Sequence, residues 1–125
     1  MNRTLIALAT VLALSGCASP PKHEWRSQDT RREIYFAAAL AADAYTTSHF
    51  GDDPTAYERP GIARSIYGSK PDAESVIVTS IVGGLAHWLI ARRIGKRWRP
   101  YWQHGFTFLH GEAAIHNCRL HDVGC

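Results

Sequence analysis

From Val76 to Ala91 the chain carries no charged side chain, and Ile77, Val78, Ile81, Val82, Leu85, Trp88, Leu89 and Ile90 face every direction around a helix. A segment apolar all round must be covered on all sides, by other helices or by lipid. It is shorter than the ~20 residues that cross a bilayer comfortably. Thr79 with Gly83, and Ser80 with Gly84, place small residues four apart, the spacing that lets a neighbouring helix come close. Ser69 as a cap, Pro71 in the first turn, and Asp72 and Glu74 at the positive end of the dipole predict where this helix starts. Arg92 and Arg93 followed by Gly95 predict its stop.

Two further helices are expected on either side. Thr30 and Glu33 have capping-box spacing, and the alanine-dense run from Ile34 to Tyr45 favours helix up to a stop at Gly51-Asp52-Asp53-Pro54. Arg99-Pro100 opens the other, predicted from Tyr101 to about Asn117. The connection from Gly51 to Lys70 is rich in turn residues, and Ile62, Ile66 and Tyr67 give one short helix within it an apolar edge. The pattern holds no strand alternation, no internal repeat and no heptad run. The expected fold is all-α, a small three-helix bundle or a hairpin plus a helix, occupying residues 30–118.

The amino terminus is a separate matter. Arg3, then Leu5 to Leu14, then small residues, read as an export signal too short to span a bilayer. Leu14-Ser15-Gly16-Cys17 closes it and resembles the lipobox of bacterial lipoproteins. That resemblance implies removal of residues 1–16 as a signal peptide and acylation of Cys17, including palmitate, with more than one chain and hence lasting attachment. Residues 17–29 then form a lipidated, Pro-containing tether, and residues 119–125 a short tail. Ala18 and Ser19 lack the Asp that resembles an inner-membrane retention signal, which points to outer-membrane sorting.

Charge and cysteine content narrow the function classes. Lys plus Arg number 14 against 11 acids, a formal net charge of +3, which does not suggest a nucleic-acid partner. Of the three cysteines, Cys118 and Cys125 lie close together in a chain expected to be exported, so a disulfide between them is expected. The other readings of that tail are free thiols, or a metal held by His116, Cys118, His121 and Cys125.

A wider likeness covers residues 31–118. Asp43 in the first helix, Gly68 and Pro71 in the loop, Arg99-Pro100-Tyr101-Trp102-Gln103 at the entry of the last helix, then Glu112 and His116-Asn117, match in order. This set resembles an uncharacterised family of short, apolar, helical membrane proteins of bacteria and their phages. The Asn-Pro pair that opens the family's loop is Arg64-Ser65 here. The resemblance implies architecture rather than chemistry.

Two constellations are candidates for function. Arg92, Arg93, Lys96, Arg97 and Arg99 surround Trp98, Tyr101 and Trp102, a mixture suited to the headgroup level of a membrane; the plainer reading is a solvated basic loop with its aromatics turned inward. Asp43, His87, Glu112, His116 and Asn117 are polar groups within apolar helices, expected to hydrogen-bond to one another in a buried network. The rival reading has Asp43, His87, Glu112 and His116 binding a metal ion, and His23, His49 and His110 are expected at the surface or in packing. With Cys17 outside, two full crossings would return the basic cluster to the outside. That conflict favours a domain on the membrane surface over one integrated in it. No nucleophile motif accompanies these residues, so no catalytic residue and no small-molecule substrate is assigned. The expected role is structural or interactive at the cell envelope, with membrane lipid and an envelope protein as partners.

Overall fold

The computed structural model describes residues 24–49, 62–67 and 70–121. Among the described residues are four helices and no strand: α1 (Ser27–Ser48), α2 (Ile62–Tyr67), α3 (Ala73–Arg93) and α4 (Arg99–His121). The all-α expectation holds, and the short α2 falls in the connection where an apolar edge was read. Cys17, the signal segment, Gly68, Ser69 and Cys125 lie outside the described residues.

The last helix runs from Arg99 to His121 rather than from Tyr101 to about Asn117, so residues 119–121, assigned to the tail, are helical; three further boundaries differ from the sequence reading, each for a local reason. α1 starts at Ser27, not Thr30, because Asp29 rather than Glu33 reaches back and accepts from the Arg26 backbone N–H at 3.0 Å. The Thr30 hydroxyl instead accepts from Trp25 Nε1 at 2.9 Å. Residues 24–29, assigned to the tether, therefore belong to the domain. α1 also ends at Ser48, before Gly51. The cap of α3 is Asp72, which accepts from the Ser75 backbone N–H at 2.9 Å; Pro71 precedes the helix and is fully buried. Hydrogen bonds from the Ser75 hydroxyl and then its backbone N–H hold the Asp72 carboxyl below its ordinary range. The stability this cap adds is present above the ordinary carboxylate pKa and is lost as pH falls through the lowered one.

α1 and α4 run parallel. Asp29 lies beside Arg99, Asp43 beside His110, and Thr46 beside Asn117, so the two chains keep step over their whole length. α3 runs the other way, with His87 meeting Glu33. α1 packs against both of its neighbours and α4 much less against α3. The helix in the middle is thus the alanine-rich one, whose small side chains allow close approach.

The interior is largely polar, and many large apolar side chains are exposed alongside charged ones such as Arg31 and Glu112. Among the described residues the buried apolar side chains are Phe36, Val76, Ala91 and Ala114, with Pro71. The buried polar ones are Asp29, Thr46, Thr47, His87, Arg99, Gln103 and Asn117. On α1 the inward positions are 29, 33, 36, 40, 43 and 47; on α4 they are 99, 103, 106, 110, 114 and 117. These are steps of three and four, a heptad-like seam. It escapes a search for apolar heptads because most of its positions are polar.

Gly84 marks a close approach of α3 to α1, since a Cβ there would stand 3.1 Å from Leu40 Cδ2, whereas a Cβ on Gly83 would meet nothing within 4 Å. Gly84→Val is expected to cost roughly 1–3 kcal/mol by overpacking, and Gly83→Ala to add about 0.5–1 kcal/mol through helix propensity. Thermal unfolding of the two purified variants checks the pair; a Gly84→Val protein as stable as the parent would contradict this packing.

Candidate functional site

The polar seam is built in layers, and the layer at the start of α1 is the most elaborate. Arg99, with 0% exposure, donates from Nε to the Ala91 carbonyl at 2.8 Å, from Nη1 to Asp29 Oδ2 at 2.8 Å and the Glu24 carbonyl at 3.0 Å, and from Nη2 to the Ile94 carbonyl at 3.3 Å. One guanidinium thus joins the segment before α1, α1 itself, the end of α3 and the turn into α4. Its flat face lies 5.0 Å from the Trp25 ring centroid. Asp29 takes a second cation through Arg32 Nη1 at 3.0 Å.

One turn on, Glu33 bridges two helices. Its Oε2 accepts from Gln103 Nε2 at 2.8 Å, and its Oε1 lies 2.9 Å from His87 Nδ1. Gln103 Nε2 also donates to the Asp29 carbonyl at 3.0 Å. His87 Nε2 and Gln103 Oε1 are buried without a hydrogen-bond partner. A proton on Nε2 would have no acceptor, which favours the tautomer carrying it on Nδ1 toward Glu33. The His87 ring is stacked between Phe36, at 3.6 Å, and Trp102, at 5.4 Å. Trp102 Nε1 donates to the His87 carbonyl at 3.3 Å.

Toward the far end, Asp43 Oδ2 lies 2.7 Å from His110 Nδ1, and Thr47 donates to Asp43 Oδ1 at 3.3 Å. Asn117 Nδ2 then donates to the hydroxyls of Thr46 and Thr47, each at 3.1 Å. Cys118 follows and is disulfide-bonded, its partner lying outside the described residues.

Of the five residues expected in the network, Asp43, His87 and Asn117 are in the seam. Glu112 is exposed and His116 half-buried, away from it. Helical geometry explains the correction: position 112 lies two residues from 110, on the opposite side of the turn. His110, expected at the surface or in packing, is Asp43's partner. Asp29, Glu33, Thr46, Thr47 and Gln103 complete the seam; the signal that locates them is the recurrence of polar residues at steps of three and four on two helices.

The metal set does not assemble. Asp43 and His87 sit in different layers, each with its own partner, and no group of three or more His, Cys, Asp or Glu among the described residues is placed to hold a metal ion. In the tail set, the Cys118 sulfur is taken by the disulfide.

The basic and aromatic cluster divides. Arg92, Lys96, Arg97, Trp98 and Tyr101 are exposed, Trp98 at 62% and Tyr101 at 70%. Arg93 and Trp102 are half-buried. Arg99 leaves the proposed contact surface altogether, because the tight turn from Ile94 points it inward. The guanidinium of Arg92 stands 5.0 Å from the ring centroids of both Trp25 and Trp88, and that of Arg97 5.7 Å from Trp98. Cations stacked on rings in this way keep both groups at one level. Comparison with known proteins finds no matching family model, no matching curated protein and no matching solved structure.

Replacing Arg99 by Met leaves Asp29 buried without that partner and removes the hydrogen bonds to three carbonyls. The expected cost is about 3–5 kcal/mol. Arg99→Lys should restore only part, because an ammonium cannot present the guanidinium's fork of donors. Denaturation of the purified variants measures this; a loss below about 0.5 kcal/mol, the level of an ordinary surface change, would contradict the assignment.

Proposed function

We propose that this protein is a lipid-tethered envelope protein, seated in the membrane by its helical bundle, with a structural or interaction role. The observation that carries the proposal is the inverted distribution of side chains: polar groups paired in the seam, apolar ones turned outward. Ile34, Tyr35 and Tyr45 on α1, Ile77, Ile81 and Leu85 on α3, and Phe108, Leu109 and Ile115 on α4 are each more than half exposed. Only 11% of the apolar window of α3, mean hydropathy 1.5, is buried inside the bundle. The core helix of a water-soluble protein would be mostly covered.

Among the described helices α3 alone is both long and apolar enough to cross a bilayer, and the lengths of the other two long ones are compatible with packing beside it there. The three long helices have 22, 21 and 23 residues. At 1.5 Å per residue each is about 33 Å long, close to the ~30 Å hydrocarbon thickness. In such a solvent buried polar groups need internal partners, and the seam supplies them for Asp29, Glu33, Asp43, Arg99 and Asn117, while His104 and Glu112 on α4 face outward. A purely peripheral domain would leave the outward faces of all three helices in water. The apolar exterior therefore supports a seat within the bilayer over one on its surface.

The tether fits the same placement. From Cys17 to Ser27 the chain reaches at most about 36 Å when fully extended, so an acylated Cys17 holds the start of α1 near one membrane surface. Arg92, Lys96, Arg97, Trp98 and Tyr101 lie at that end of the bundle; such residues favour the headgroup level, although a cluster of cations on the outer side runs against their usual cytoplasmic placement.

The test separates tether from bundle. The parent is expected to incorporate labelled palmitate; a Cys17→Ser variant exported behind an ordinary cleavable signal should not, yet should remain in the membrane pellet after alkaline carbonate washing. Release of that variant as a folded soluble protein would overturn the bilayer seat, and a parent without label would overturn the lipid tether.

A further inference from the structure

α3 and α4 pack little against each other, and a groove of about 360 Å³ opens beside the turn that joins them. Ile94, Trp98, Tyr101, Gly105, Phe106 and Leu109 line it. Gly105 forms its open part, because a Cβ there would meet nothing within 4 Å. At its mouth Arg97 rests on the Trp98 ring at 5.7 Å, next to the exposed Lys96.

We propose that this groove binds an anionic phospholipid, with one acyl chain along Tyr101, Gly105 and Leu109 and the phosphate held by Lys96 and Arg97. Charge and length both select this occupant. The groove wall is apolar and its mouth cationic, the polarity of a single anionic lipid read from tail to head. From Trp98 to Leu109 the helix rises about 16 Å, which matches one leaflet, half of the ~30 Å hydrocarbon core. The inference rests on the membrane seat and adds to it a preference for one headgroup chemistry at one place.

Tryptophan fluorescence reads it as the difference between the parent and Trp98→Phe, since Trp98 lines the groove beside Trp102 while Trp25 and Trp88 do not. The full chain is reconstituted in phosphatidylcholine vesicles containing equal mole fractions of dibrominated phosphatidylglycerol or dibrominated phosphatidylcholine. The phosphatidylglycerol is expected to quench several-fold more effectively. That preference should fall to parity in Gly105→Leu, which fills the groove, and in the double variant Lys96→Gln with Arg97→Gln, which removes the charge. Circular dichroism matching the parent shows that Gly105→Leu is folded, as the free space around Gly105 predicts.

Parity in the parent, as a groove filled by the chain's own Cys17 lipid or by a second copy would give, overturns the proposal while leaving the membrane seat standing. So does a preference that survives Gly105→Leu, for then surface charge alone attracts the lipid. Absence of quenching by either lipid overturns the membrane seat and the groove with it.

Discussion

The guanidinium of Arg99 is the group on which the arrangement of the helices depends. Its donors reach the segment before α1, the first turn of α1, the last turn of α3 and the α3–α4 turn at once. A buried charge is costly unless each donor is met, so the four acceptors must come together in one geometry or the cost is not offset. That requirement sets the parallel register of α1 and α4 at one end. Gln103 on Glu33, His110 beside Asp43, and Asn117 on Thr46 and Thr47 repeat it down the seam.

A seam made of hydrogen bonds works best where water does not compete for them. Individually such contacts between helices in lipid contribute modestly, about 0.6 kcal/mol on average. Their larger effect is on specificity: sliding α4 by one turn past α1 would leave several polar groups buried and unpaired. An apolar seam, held in hydrocarbon by van der Waals packing alone, would tolerate that slip far better. In the proposed membrane seat the polar seam and the exposed apolar side chains are two sides of one solution, with the basic, aromatic end at the height of the headgroups.

The fold was legible wherever local signals act alone. The all-α class, the three long helices and the short one in the connection follow from alanine content, cap residues and turn residues. Boundaries were less so, because Thr30 and Asp29 both offer caps and only the tertiary partner Arg99 decides between them. The site was half legible. Asp43, His87 and Asn117 stand out as polar residues in apolar surroundings, but Glu112 and His116 stand out equally and face outward. Which side of α4 turns in is fixed by Arg99 and Gln103, whose long side chains read as surface groups on any scale. Arg99 is also one of five basic residues between 92 and 99, so composition groups it with the exposed cations, whereas the turn from Ile94 buries it.

Nitroxide labels on single cysteines at positions 38 and 81 probe the inverted bundle most directly, because Ala38 on α1 and Ile81 on α3 are both exposed near the middle of their helices. Power saturation of the reconstituted full chain compares collisions with oxygen, which concentrates in hydrocarbon, and with a water-soluble nickel chelate. High oxygen and low nickel accessibility at both positions is the expected result. High nickel accessibility would place those faces in water, low values for both reagents would place them against protein, and either outcome would contradict a bundle that turns its apolar side to lipid.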